Sequence, residues 1–243
     1  MSRQTTINLL VLLFAVLTGL WRLVLKPQLE FFGYNRVIEA VNNEHCKVVP
    51  ELSACESMFL SSIFFFSMFK QCFDIEIVLH QPSGVLYLAC STPSSRTHWT
   101  PALVCLNETG ASFNDYVASY DPKTSRITRF KVVNFKNDRG LSLHGMDVVP
   151  SSSNPSELFV YLINHRAPLG GLRAKDVGAD SVIEIFKTNL GGDTLTHIRT
   201  VQDPVILTPN DVVGSPDGKS FYFTNDHGEK IGLVCDFFLH IAF

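Results

Sequence analysis

The chain has 243 residues, of which 46% are hydrophobic and 18% charged, and its formal net charge is −3. This length and hydrophobic content suffice for one sizeable core and exclude a disordered chain. The lysines and arginines are not clustered, and phosphate binding needs a concentrated basic face, so nucleic acid is excluded as a partner.

The N-terminal segment is almost wholly apolar over residues 7–20, between Arg3 and Trp21. This uncharged core is shorter than the roughly 20 residues that span a bilayer, but residues 21–25 extend it to a marginal span. No small-x-small cleavage pattern ends it. We therefore expect residues 1–26 to be a signal anchor, with a cleaved signal peptide and a buried soluble helix as the alternatives. Either of the first two places the remaining chain in the secretory pathway, membrane-anchored or secreted.

The six cysteines show no CxxC spacing, which disfavours a zinc site. Disulfides are allowed in the secretory pathway, but their pairing cannot be derived from sequence. The tripeptide Asn107-Glu108-Thr109 matches the N-glycosylation pattern, and it predicts an exposed loop over residues 106–110.

Short strands separated by turn residues follow from Asp74 onward. The predicted hairpins pair residues 74–79 with 85–90, 117–121 with 126–132, 148–150 with 158–163, 181–187 with 194–201, and 212–213 with 220–224. A phrase of four strands recurs about every 60 to 70 residues, which is typical of β-propeller blades. We predict an all-β fold, a partial propeller over residues 40–234 behind an N-terminal apolar helix.

Two segments interrupt this pattern. Residues 57–73 contain six of the chain's 19 phenylalanines and have neither helical nor strand periodicity. Residues 235–243 form an apolar tail with no turn or partner strand after it. Only about two and a half blades are present, which is too few for a closed ring, so we interpret the chain as part of a longer protein.

Four short motifs carry a resemblance to a known family. They are residues 143–146 (LHGM), 163–165 (INH), 210–211 (ND) and 224–227 (TNDH). In order and spacing they resemble the paraoxonase/arylesterase family, in particular its fungal-type members, within the calcium-dependent phosphotriesterase superfamily. The resemblance extends from about Cys46 to Val234. It implies a six-bladed β-propeller that holds two calcium ions and hydrolyses aryl esters or lactones.

The resemblance also implies roles for individual residues. His144 matches the general base that activates water, and His165 matches its orienting partner. The implied calcium ligands are Glu56, Asp74, the main-chain carbonyl of Met146, Asn210 and Asp211. Lining positions in the central tunnel are implied for Asn225, Asp226 and His227, and Cys46 matches a disulfide cysteine whose partner lies beyond this sequence.

Residues 57–73 separate Glu56 from Asp74, two ligands that the family holds side by side. The segment has the coding length of a small intron, and we hypothesise that it is a translated, unspliced intron. The tail over residues 235–243 departs from the family in the same abrupt way. A gene-model artefact without a folded product is therefore a third reading of the chain.

These expectations combine into one function and one alternative from another class. The resemblance implies a calcium-dependent hydrolase of small aryl esters or lactones, tied to a membrane through its N-terminal segment. Because the later blades and their ligands lie beyond this sequence, it also implies an incomplete and inactive form. The alternative is a non-catalytic, membrane-anchored propeller-like binding protein whose histidines are structural.

Overall fold

The computed structural model of the protein describes residues 2–37, 48–55, 77–80 and 82–231. The predicted calcium ligands Glu56 and Asp74, the predicted disulfide residue Cys46, and segments 57–73 and 235–243 lie outside these residues. The chain divides into an N-terminal helical unit and a larger β-rich unit.

The N-terminal unit contains one apolar helix. It begins as α1 (Arg3–Leu20), passes through a π-helical turn (Trp21–Leu25) and ends as α2 (Lys26–Phe31). The side chain of Ser2 caps its N-terminus by accepting the N–H of Thr5. None of its residues is buried, and the whole helix is long and apolar enough to cross a membrane. The prediction of an N-terminal apolar helix is confirmed, and the helix continues beyond Lys26.

The first sheet of the β-rich unit is an antiparallel meander of four strands. In order these are β1 (Ile77–His80), β2 (Val85–Cys90), β5 (Tyr116–Asp121) and β6 (Arg126–Arg129). Between β2 and β5 lie a short helix, α3 (Pro93–His98), and a small hairpin of β3 (Trp99–Thr100) and β4 (Cys105–Leu106).

The second sheet has five strands. It is a meander of β8 (Leu143–Pro150), β9 (Glu157–Arg166), β10 (Asp180–Asn189) and β11 (Thr194–Val201), with β7 (Lys131–Val133) parallel to β11 at the edge. A short helix, α4 (Ala174–Val177), connects β9 to β10.

The predicted strand over residues 126–132 is two strands in different sheets. The N–H of Phe130 still bonds to Val117 in the first sheet, whereas the N–H of Lys131 bonds to Asp193 in the second. Phe130 is buried in the core between the sheets. The chain therefore crosses from one sheet to the next at this residue, which an uninterrupted β-favouring run does not reveal.

The third sheet is the predicted hairpin of β12 (Pro209–Gly214) and β13 (Phe221–Asn225). The second sheet is covered on both faces, and alternate residues of β9 point to opposite sides. Leu158, Val160 and Leu162 belong to the core shared with the first sheet. Tyr161 and Ile163 belong to the core shared with the third sheet. The three sheets therefore stack with β8 and β9 in the middle layer.

This architecture confirms an all-β class with several sheets. Within the described residues the sheets do not close into a ring, and the six-bladed propeller stays a prediction. A disulfide joins Cys55 to Cys90 and ties the segment before the first sheet to β2. That pairing was left open by the sequence, and Cys105 carries a free thiol.

Candidate functional site

The site forms where two β-bulges meet. In β8, His144 and Gly145 together oppose the single residue Ile163 of β9, because Leu143 pairs with Asn164 and Met146 with Leu162. In β12, residues 210 and 211 likewise oppose only residue 224 of β13. A bulge redirects side chains out of the regular alternation, and bulges are frequent beside active sites. The four central residues of the LHGM and ND motifs lie in these two bulges.

The two bulges lie against each other at Gly145. A Cβ atom at this position would be 2.3 Å from the carbonyl oxygen of Asn210 and 2.7 Å from the Cα of Asp211. Only glycine permits such a close approach of two backbones. The glycine of the His-Gly pair therefore has a structural purpose that is independent of any family resemblance.

The close approach of the two bulges brings His144, the predicted general base, beside Asn210, a predicted calcium ligand. The Nε2 of His144 lies 2.9 Å from the Oδ1 of Asn210, and an amide oxygen only accepts, so Nε2 carries the proton. The imidazole of His165 packs edge-on against His144, with ring centroids 5.1 Å apart. The structure thus brings together three residues that are up to 66 positions apart in sequence.

The environment of His165 keeps its imidazole neutral. The side chain is fully buried, its Nδ1 lies 2.8 Å from the hydroxyl of Ser181, and its Nε2 has no hydrogen-bond partner among the described residues. Burial first, and then the charges of His144 and Arg96, hold the pKa of His165 well below its usual range. A neutral ring beside His144 does not oppose a positive charge on that residue.

The described oxygen donors around the bulges suit a hard cation. Asn210 is half-buried, and the exposed carboxylate of Asp211 accepts the N–H of Val212 through Oδ1 alone. Asp147 also lies nearby, but both of its oxygens accept main-chain N–H groups, from Val148 and Gly214. Burial, together with the charge of Asp211, raises the pKa of Asp147. Carboxylate and amide oxygens are donors that calcium accepts, so the chemistry of these described donors fits a calcium ion in part.

The described residues supply part of the implied calcium ligands. Asn210 and Asp211 share one bulge, and the buried Met146 follows the other bulge directly. Glu56 and Asp74 lie outside the described residues. Within the part of the chain that is described, no three His, Cys, Asp or Glu side chains are grouped to hold a metal ion. Calcium also accepts asparagine and main-chain oxygens as ligands.

The predicted tunnel residues lie at the end of β13. The side-chain oxygen of Asn225 accepts the N–H groups of Leu207 and Thr208, so this amide organises the loop before β12. The N–H of Asp226 also bonds to Thr208. His227 donates from Nε2 to the carbonyl of Ala102, 2.7 Å away. All three residues join the third sheet to neighbouring loops, and the tunnel-lining role stays a prediction.

The predicted glycosylation residue, Asn107, lies in a short loop as expected, but it is half-buried rather than exposed. Its side-chain oxygen accepts the hydroxyl of Thr109, and its nitrogen lies 3.1 Å from His98. Leu106, at the start of the predicted exposed loop, is buried because it belongs to β4.

The sequence assigns no role to several residues that support the site. They are Arg96, Asp115, Asn164, Ser181 and Glu184, all buried. The amide of Asn164 accepts the N–H of Ser142 and donates to Glu184, which fixes the start of β8. The one available signal was charge within a predicted buried strand, as for Glu184 in residues 181–187. Such residues need partners when they are buried.

No protein-family model matches the chain, and no curated protein matches it significantly.

Proposed function

We propose that the protein is a calcium-dependent hydrolase of small aryl esters or lactones, with His144 as the general base. The observation that supports this most is the meeting of the two bulges, which sets His144 2.9 Å from Asn210 and 5.1 Å from the ring of His165. A buried imidazole beside oxygen donors suited to a hard cation is an arrangement that can activate water.

The chemistry follows from the tautomer of His144. Its Nε2 proton is donated to Asn210, so in the neutral ring the Nδ1 atom carries the lone pair that accepts a proton. As Nδ1 takes a proton from water, the hydroxide oxygen forms a bond to the carbonyl carbon of the ester. The carbon–oxygen ester bond then breaks, and His144 returns the proton to the departing oxygen, a phenoxide from an aryl ester or an alkoxide from a lactone. The neutral His165 tolerates the transient positive charge on His144.

Calcium would be held by Asn210, Asp211 and the main-chain carbonyl of Met146, with Glu56 and Asp74 as the further expected ligands. When bound, the ion supplies positive charge that polarises the ester carbonyl and stabilises the oxyanion. The side chain of Asn210 also orients His144 through the hydrogen bond to Nε2. Loss of this amide is therefore expected to affect both metal affinity and the base.

Hydrolysis of phenyl acetate and of an aromatic lactone, with and without a calcium chelator, tests this function. We expect activity that falls on chelation and returns with added calcium. His144→Gln should lower kcat by about 10²-fold or more, the usual contribution of a general base. His98→Gln, at an exposed histidine, is the matched control. Activity that survives both chelation and His144→Gln contradicts the proposal, whereas a protein that hydrolyses neither compound in the presence of calcium favours the non-catalytic binding protein.

The stacked sheets and the apolar helix support two further parts of the proposal. Sheets ordered as successive meanders, each packed on the next, suit the blades of a β-propeller. The exposed helix of residues 3–31 suits a signal anchor, with the β-rich unit in the secretory pathway. Carbonate extraction of membranes from expressing cells tests the anchor: release of the full-length chain into the soluble fraction would contradict it.

A further inference from the structure

A buried ion pair lies directly behind the site and has no role in the chemistry above. It joins Arg96 of α3 to Asp115, which precedes β5, with 3.9 Å between Nη2 and Oδ2. Their side chains are 8% and 1% exposed. A buried ion pair is a poor source of stability, because desolvation offsets much of its attraction and apolar residues often serve as well. Its presence therefore calls for another explanation.

Both charges are directed at one peptide segment. The N–H of Leu143 donates to Oδ2 of Asp115 over 2.9 Å, and the carbonyl of Leu143 accepts a hydrogen bond from Nη1 of Arg96. Leu143 immediately precedes His144 and is the last regular residue before the bulge. Hydrogen bonds to charged groups are stronger than those between neutral groups, so the segment is held firmly from two directions.

The same part of the chain also holds the second histidine. The indole N–H of Trp99, which directly follows α3, donates to the carbonyl of His165 over 2.9 Å. Asp115 is itself fixed, because its Oδ1 accepts the hydroxyls of Ser91 and Ser112. The ion pair is therefore anchored in the first sheet and its connections, while the backbone that it holds belongs to the second sheet.

We propose that the Arg96–Asp115 pair is a positioning device for His144: by holding both main-chain groups of Leu143, it fixes the bulge that directs the imidazole at Asn210. Arg96 and Asp115 are positioning residues and do not touch the substrate. The expected effect of the pair on catalysis rests on the proposed function. Its effect on the position of the His144 ring does not.

Kinetics in the wild-type and His144→Gln backgrounds, with phenyl acetate as the substrate, test the effect of the ion pair on catalysis. Asp115→Leu should lower kcat by about 10²-fold, the usual effect of misplacing a catalytic group by about 1 Å, and change KM little. Asp115→Asn keeps an acceptor for the N–H of Leu143, so it should lower kcat less than Asp115→Leu does. Arg96→Lys keeps a charged donor for the Leu143 carbonyl, so it should lower kcat less than Arg96→Met does. In a His144→Gln background the same substitutions should have almost no effect, because residues that act through one group are not additive.

The matched control is Asp176→Asn, which breaks the exposed Arg173–Asp176 pair of a short helix. It should leave kcat unchanged in both backgrounds. If Asp115→Leu lowers kcat by the same factor with and without His144, the pair serves the fold alone and the proposal is overturned. If Asp115→Leu does not fold, the comparison is made with Arg96→Met, which removes the donor to the Leu143 carbonyl.

NMR separates this inference from the proposed function. The nuclear Overhauser effect between the His144 ring and the Asn210 side chain reports their contact without any substrate. We expect it to weaken or vanish in Asp115→Leu, or in Arg96→Met if that is the folded variant, and to persist in Asp176→Asn. If the protein hydrolyses neither phenyl acetate nor the aromatic lactone but the Overhauser effect is lost in the variant, the hydrolase is refuted and the positioning device is retained. An unchanged effect in whichever of Asp115→Leu and Arg96→Met folds overturns the device, whatever the activity.

Discussion

Gly145 is the residue on which the approach of the two bulges depends. Gly145→Ala places a methyl group 2.3 Å from the main-chain oxygen of Asn210, and backbone cannot move aside as a flexible side chain does. We expect β8 and β12 to separate, with a loss of about 1–3 kcal/mol in the free energy of unfolding, as for other overpacked sites. Urea unfolding measures this loss, and phenyl acetate hydrolysis should fall with it.

Gly228→Ala is the control, because a Cβ atom there meets nothing within 4 Å. Equal stability of the two alanine variants would show that the bulges can move apart freely, and would contradict the close packing at Gly145.

His165 makes folding sensitive to acid. Its pKa in the folded protein is held well below that of the unfolded chain, about 6.5, so below that pH the unfolded state binds the proton that the folded state excludes. The stabilisation is complete above about pH 6.5 and is lost as the pH falls toward the folded pKa, at up to about 1.4 kcal/mol per pH unit. Urea unfolding between pH 7.5 and 4.5 measures the slope.

His165→Gln should reduce that slope, because the group that titrates differently in the two states is gone. His98→Gln, at an exposed histidine, controls for the loss of an imidazole. A slope that is the same in the wild type and in His165→Gln would contradict the buried, neutral state of His165.

At the scale of elements, Asp147 joins the second sheet to the third. Its Oδ2 accepts the N–H of Gly214 over 2.9 Å, across the interface between β8 and β12. Asp147→Ala leaves that donor without its partner, and because both residues are half-buried the cost is below the about 1–3 kcal/mol of a fully buried site. We expect amide hydrogen exchange to accelerate selectively over residues 209–225.

Exchange in the first sheet should be unchanged in Asp147→Ala. Asp121→Ala is the control, since Asp121 ends β5 and its carboxylate accepts hydrogen bonds from Lys123 and Thr124, its near neighbours in sequence. Faster exchange spread evenly over all three sheets would mean that the hairpin of β12 and β13 does not open as a separate element.

The hairpins were predictable from sequence because alternation and turn residues are local signals. Strands β9, β10, β11 and β13 fall on the predicted residues to within about three at each end, whereas β8 and β12 begin five and three residues before theirs, through the bulges. The crossing at Phe130 was not predictable, since the apolar pattern continues through it. The α3 helix was missed for a related reason: its sequence, PSSRTH, has no apolar periodicity, and its role is to carry Arg96.

The site was predictable only in part. The motifs named His144, His165 and Asn210, and the structure brings these three together. Arg96 and Asp115 belong to a different sheet and its connections, and nothing in their own neighbourhoods marks them. Their importance arises from contacts 47 and 28 positions away along the chain, which periodicity cannot detect.

At the scale of the whole molecule, the Cys55–Cys90 disulfide ties the segment before the first sheet to β2. A cross-link over 35 positions restricts the unfolded chain, so its removal in a Cys55→Ala, Cys90→Ala variant should cost about 2–4 kcal/mol. Urea unfolding with and without a reducing agent measures this. Cys105→Ala, at the free thiol, should keep the sensitivity to reduction, and a wild type that is insensitive to reduction would contradict the cross-link.

The crossing strand β7 also affects how the protein avoids association. Without it, β11 would end the second sheet with a row of unpaired main-chain groups, which readily recruit strands of other molecules. Strand β7 pairs with β11 along that edge, and it belongs to the part of the chain that has already left the first sheet. The chain therefore leaves the first sheet at Phe130, and a second sheet excised from Leu141 onward would expose β11 and tend to aggregate.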